Sequence, residues 1–278
     1  MPACLSFRLP RFVPMSCCSR LFVTALMTVA VAGCQSHQVA SPDGSSAAAA
    51  STPSLEATKK QRFDQFVRRF QSAIGNAAMD ANSEGLTGEV RLVVQIDRSN
   101  TVISCDTHAT GLFSANPRLA ELSKAACWSA VFPPVPPERF DQDGNVKIVA
   151  PLIFLSMSER QRLSMQGRYQ QAAQARYFAE RTLMKSPPDS MGVVTFEYLA
   201  DKQGKVQECV VNLERHLDRL DAFKYDNALQ ARLTEQCKHL HLAQMPVFAL
   251  GTAGVTRGTV FFNYSPWMGG GLRGSQAQ

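Results

Sequence analysis

The sequence predicts an α+β fold of two ββαβ units, each a three-stranded antiparallel sheet with one helix packed on it, plus flanking helices. Three observations carry that expectation. A run of alternating apolar and polar residues ending at an aspartate occurs twice, at 90–96 before Asp97 and at 194–200 before Asp201. A second alternating segment follows each turn and carries a cysteine, Cys105 or Cys209, at the same step from the aspartate. A segment of helical period with one further cysteine, Cys127 or Cys237, comes next, and each copy closes on another strand.

The first unit covers residues 85–156. Val90, Leu92, Val94 and Ile96 fall on one face of a strand, because side chains alternate with period two. Arg98-Ser99-Asn100 supplies a short turn, where asparagine tolerates positive φ. The chain returns as a strand over 102–109. Asn116-Pro117 opens a helix, proline being accommodated in the first turn. Leu119, Leu122, Ala126 and Ala130 form its inner stripe, and the prolines after Phe132 end it, since proline lacks the amide and clashes with the preceding turn. Residues 145–155 make the third strand.

The second unit covers residues 191–267. Val194, Phe196, Tyr198 and Ala200 match the inner face of the first unit position for position. Gly204 makes the turn, 205–213 the second strand, and Tyr225, Leu229, Leu233, Cys237 and Leu240 mark the helix. Residues 258–264 form the last strand. Between the units, 157–190 reads as a long Gln- and Arg-rich helix broken at Pro187-Pro188. Its weak apolar stripe leaves open whether it covers a sheet or spaces the two units. Ahead of the first unit, 55–84 holds a helix with Phe63, Phe66, Val67, Phe70 and Ile74 on one stripe. Its basic residues admit a helix lying on an anionic membrane. A helix packed on the first unit is favoured, with those residues solvated. The Gly-rich tail 268–278 reads as disordered.

The N-terminus assigns a compartment. Arg8, Arg11 and Arg20 precede an apolar run at 21–32, too short to span a bilayer comfortably and of the length of a signal-peptide core. Met15 is an alternative start. The run ends in Val31-Ala32-Gly33-Cys34, which resembles the lipobox of bacterial lipoproteins. The resemblance implies cleavage of 1–33 and acylation of Cys34 as the first mature residue. Gln35, in place of the aspartate associated with inner-membrane retention, favours the outer membrane. Residues 34–54, rich in Ser, Ala and Pro, read as a flexible linker of about 20 residues with an r.m.s. span of about 25 Å. The net charge of +6 includes the three signal-peptide arginines, which leaves about +3 on the mature chain. That is too mild, and too unclustered, for a nucleic-acid partner.

The helix opening at Asn116-Pro117 and closing at Phe132-Pro133-Pro134, between the Asp97 hairpin and a last strand interrupted by Pro151, resembles the C-terminal domain of TonB. Members of that family run from a strand ending in Asp to a helix closed by a Phe-Pro motif, and finish on a strand with proline near its middle. The second unit keeps Asp201 and Gly204 but has Met245-Pro246 in place of the Phe-Pro run. It resembles the cysteine-bearing versions, with one cysteine after the turn and another in the helix. The likeness covers roughly half of the chain. Matched positions then favour Cys105 with Cys127 and Cys209 with Cys237, cross-unit pairing remaining an alternative. An exported chain meets an oxidising compartment. Each bridge is worth about 3–4 kcal/mol in the chain-entropy model, which matters in units whose cores are thin.

No catalytic centre, metal site or small-molecule cofactor is expected. Cys237, His239 and His241 have the residue types of a zinc site, but positions two apart on a helix do not share a face. His216 with Asp218 and Asp221 lies in a polar loop with no framed nucleophile. Ser104, Asp106 and His108 share a strand face that reads as solvated surface. In the resembled family the last strand is a sheet edge that captures an extended segment of a receptor, which is strand addition. Thr259, Val260, Phe261, Phe262, Asn263 and Tyr264 form the proline-free candidate edge, whereas Pro151 weakens the corresponding edge of the first unit. The chain lacks the membrane helix and Pro-rich reach of an energy transducer. The expected role is therefore a lipid-anchored periplasmic binding or scaffold protein of the envelope, or an accessory to TonB-dependent transport. The expected partners are envelope proteins and, through the lipid, the membrane. A periplasmic enzyme acting on cell-wall or exported substrates and a purely structural lipoprotein are the alternatives.

Overall fold

Two three-stranded antiparallel sheets, each covered by helices, make up the computed structural model, which describes residues 55–108, 116–249 and 254–271. The predicted signal peptide, Cys34 and the linker lie outside the described residues. Among the described residues, no helix is long and apolar enough to cross a membrane. The first half runs α1 (Leu55–Ala81), β1 (Gly88–Asp97), β2 (Val102–His108), α2 (Pro117–Ser129) and β3 (Asn145–Phe154). The second runs α3 (Glu159–Thr182), β4 (Gly192–Asp201), β5 (Val206–Glu214), α4 (Asn227–Lys238) and β6 (Val255–Tyr264). Each sheet places the first strand of its unit in the middle, in the orders β2-β1-β3 and β5-β4-β6.

The alternation in the sequence becomes burial. Val90, Leu92, Val94 and Ile96 are closed off from solvent, and so are Val194, Phe196 and Ala200 at the matching places. The two hairpins share their details. The amide of Asn100 donates to the Asp97 carbonyl at 2.8 Å and that of Gly204 to Asp201 at 2.9 Å. The Asp97 and Asp201 carboxylates accept from the amides of Thr101 and Lys205 at 2.9 and 3.0 Å. Both residues at the turn adopt the left-handed conformation, with φ of 60° at Asn100 and 77° at Gly204. The ladder register slips at the same point in each, between Gln95 and Ile96 and between Leu199 and Ala200.

The helices start where the sequence offers caps. Asn116 accepts from the Arg118 amide ahead of Pro117. Asp226 accepts from the Leu229 amide, so α4 begins two residues later than Tyr225, which stays exposed. Ser158 and Gln161 form a reciprocal capping box on α3.

Each sheet is covered by a second helix besides the one inside its ββαβ sequence. Phe66, Phe70, Ile74 and Ala78 of α1 enter the first core, with Phe70 stacked on Phe132 at 4.6 Å. The alternatives left open for α3 are thereby decided as well. Phe178 packs on Phe196 and Tyr198 at 5.0 and 5.8 Å, so α3 covers the second sheet.

The described residues all fall within one compact unit. Trp267, which follows β6, is buried in the core of the first half, where its indole N–H donates to the Ala130 carbonyl at 2.9 Å. Met191 joins the same core. The expectation of disorder from residue 268 fails at its start. Met268 is buried in the second core, and Gly270 and Gly271 lie so close to the Trp128 ring that a Cβ on either would meet it. Composition alone hid this, because glycines that read as flexible here let the chain pass close against the indole. Residues 272–278 lie outside the described residues.

Candidate functional site

Cysteine placement matches the pairing that repeat positions favoured. Cys105–Cys127 and Cys209–Cys237 are disulfides with Cα atoms 6.1 and 6.2 Å apart, each tying the second strand of a sheet to its helix. Cross-unit pairing is absent from these four residues. All four are buried, which fits an exported chain in which the bridges are structural.

The remaining polar candidates do not converge. Cys237 is bridged, His239 faces Glu235 at 3.1 Å, and the His241 carbonyl accepts from the Tyr177 hydroxyl at 2.7 Å. Ser104 and Asp106 hydrogen-bond each other on the surface of β2. His216 accepts from the Asp218 amide at 3.2 Å, and burial pushes its pKa below the usual imidazole value. Burial raises the Tyr198 and Tyr264 phenols in the second core. Among the described residues no group of three or more His, Cys, Asp or Glu could hold a metal ion.

What the fold does present is strand edges. Each sheet has two outer strands, and four edges result: β2, β3, β5 and β6. An edge is a row of free backbone donors and acceptors, which proteins normally guard. Val102 and Ile103, at the start of β2, line an open cleft of about 390 Å³ together with Trp128, Pro266, Trp267 and Gly270, so the segment after β6 crowds that end of the strand. On β5 the Val211 carbonyl is engaged by the side-chain amide of Gln230 from α4 at 2.6 Å. The Tyr225 hydroxyl holds that amide from its other side at 2.9 Å. β3 carries Pro151, which has no N–H to offer.

Over Thr259–Tyr264, β6 has none of these guards; nearer its start the Thr256 hydroxyl donates to the Ala249 carbonyl at 2.8 Å. Phe261 occupies the register position that Pro151 holds in the first sheet, opposite Thr195 as Pro151 is opposite Arg91. The six candidate residues divide by face. Val260 and Tyr264 are buried and Phe262 packs against the core, with its ring 5.9 Å from Phe196. Thr259, Phe261 and Asn263 point to the open face, Phe261 being half exposed. The inner residues thus anchor the strand in the second core while Thr259, Phe261 and Asn263 face outward. Tyr177, Phe178 and Ala179 of α3 share the second core with Val260 and Tyr264 of β6. α3 packs on the inner side of the sheet. Among the described residues no strand pairs with the second side of β6.

Sequence reasoning missed two of the three guards. Gln230 and the segment after β6 act across the fold, and neither residue type signals an edge by itself. The Pro151 guard was visible in sequence.

No protein-family model, curated protein or solved structure gives a significant match to this chain.

Proposed function

We propose that this chain is a lipid-anchored periplasmic binding or scaffold protein of the cell envelope, which captures an extended segment of a partner envelope protein by strand addition on β6. The observation that carries the reading is the contrast among edges. Three of the four carry a local guard, a crowded start on β2, an engaged carbonyl on β5 and a proline on β3, and none of these lies along Thr259–Tyr264 of β6. Strand addition takes its affinity from main-chain hydrogen bonds and its selectivity from alternate side chains. Thr259, Phe261 and Asn263 would supply the latter on the open face. Cys34 would carry the lipid, and the linker would hold the folded unit near the membrane surface. A role accessory to TonB-dependent transport rests on the resemblance of the first unit to the TonB C-terminal domain.

The test moves the natural guard of one sheet to the other. Phe261→Pro places a proline where the first sheet already tolerates one, so the fold should survive. Intact envelopes would be crosslinked and the full chain recovered with its partners. Recovery with the native chain and its loss with Phe261→Pro supports the reading; equal recovery with both sinks the edge assignment. Cys34→Ser, which should release the chain from the membrane fraction, tests the anchor separately. The buried seam at Trp267 favours a second reading, a purely structural lipoprotein, and recovery of no partner by the native chain would favour it.

A further inference from the structure

The loop between β5 and α4 joins the two halves of the molecule. Arg219 is 3 % exposed at that seam. Its guanidinium donates to the Asn100 carbonyl of the first half at 3.3 Å and to Asp221 at 3.4 Å. Asp218 pairs with Arg69 of α1 at 3.3 Å. The Met191 amide donates to the Ala222 carbonyl at 3.1 Å, and the Ala222 amide to Arg219 at 3.1 Å. His216 begins this arrangement. Its carbonyl accepts from the Arg219 amide at 3.0 Å, and its ring Nδ1 accepts from the Asp218 amide at 3.2 Å.

We propose that His216 is a pH-sensitive latch on the seam between the two halves: neutral, it closes the loop that carries Asp218 and Arg219 across to the first half, and protonated, it lets that loop go. The chemistry is local. An imidazole nitrogen accepts a hydrogen bond only while it is unprotonated. Protonation deletes the acceptor for the Asp218 amide. It also puts a second cation beside Arg219, which is already buried and held by long hydrogen bonds to Asn100 and Asp221. The charged groups acting on the ring are Asp218, which favours the protonated form, and Arg219, which opposes it. Arg69 engages Asp218 from α1 and draws on its charge, and Asp221 does the same for Arg219. Burial is the largest influence and favours the neutral ring.

The sign follows from the folded state binding the proton less readily than the unfolded chain, whose histidine titrates near 6.5. The latch contributes its full stability above that value. It is lost as pH falls through 6.5 and on through the lower folded pKa. This device is independent of partner capture at β6, so either can fail without the other.

The full chain would be followed by amide hydrogen exchange at residues 191, 218 and 222, with His216→Asn compared at each pH so that intrinsic exchange rates cancel. Asparagine keeps an acceptor oxygen close to the Nδ1 position and does not titrate. The expected result is a several-fold faster exchange in the native chain than in His216→Asn at mildly acidic pH, and equal rates above neutrality. Equal rates at every pH overturn the proposal. Should the variant fold poorly, the imidazole titration of the native chain decides instead. A His216 midpoint at or above 6.5 overturns the latch, and a midpoint below it, moving together with the Ala222 amide resonance, supports it.

Discussion

The two halves share one backbone and fill it differently, and the differences say which features the fold requires. At one inner position of the central strand the first sheet has Val94 opposite Ile148, and the second has Tyr198 opposite Gly258. A Cβ on Gly258 would lie 2.4 Å from the Tyr198 hydroxyl oxygen. Two medium side chains are exchanged for one large and none, which conserves volume, as close-packed interiors demand. At the edges the exchange is not conservative. Pro151 gives way to Phe261, which opens β6, and Trp128 gives way to Lys238, which leaves the second helix without the ring that receives Gly270 and Gly271 in the first. The core tolerates trades and the periphery has diverged, as expected when a duplicated unit keeps its fold and acquires two distinct surfaces.

Trp267→Ala is the severest way to break the comparison. Its indole fills the first core from the second half and donates to the Ala130 carbonyl. Removal leaves a large cavity and an unpaired carbonyl, and large aromatic truncations cost about 3–5 kcal/mol. Because the residue joins the halves, the loss should also uncouple them. Chemical denaturation is expected to change from a single transition to two, reported by far-UV dichroism and by the remaining Trp128. One unshifted transition would mean that the seam carries no stability.

The volume trade makes a sharper test. Gly258→Ile alone forces a branched side chain into the Tyr198 ring, and overpacking of this kind costs about 1–3 kcal/mol. Tyr198→Val alone leaves a cavity of the missing ring. The pair together reproduces the Val94–Ile148 arrangement of the first sheet, so the double variant should be closer to native stability than either single change. The coupling is read from a double-mutant cycle in urea. Additive losses would show that the two sheets are not interchangeable at this place.

Much of this architecture was legible in the sequence because it rests on local periodicity. Val90 to Ile96 and Val194 to Ala200 announced the central strands, and the matched cysteines announced which elements lie across from each other. The hidden part depends on contacts between distant residues. The stripe of α1 was legible as packing on the first unit, whereas that of α3 is weak: only its last turns, with Tyr177, Phe178 and Ala179, reach the core. Trp267 was legible as the end of the second repeat, but not as a core residue of the first. Of the candidate edge, the proline-free strand was readable. That β2 and β5 carry guards was not, since Gln230 is an ordinary polar helix residue until Val211 is found beneath it.

The mildest change concerns how each hairpin is tied to the chain that follows its helix. In the second half the tie is backbone: the Leu242 amide donates to the Gly204 carbonyl at 2.7 Å, and the approach is so close that a Cβ on Gly204 would sit 2.3 Å from the Ala243 nitrogen. In the first half the tie is a side chain: Asn100 Oδ1 accepts from the Val135 amide at 2.6 Å. Asn100→Gly keeps the left-handed turn, which glycine adopts more easily, and deletes only that acceptor. The buried Val135 amide is then left without its partner, which costs about 1–3 kcal/mol, and relief of the left-handed conformation at asparagine returns part of it. A net loss of about 1 kcal/mol is expected, with faster amide exchange at Val135. An unchanged midpoint would mean that the first hairpin is held by its ladder and the Asp97 carboxylate alone, and that the side-chain tie is a substitute the fold does not need.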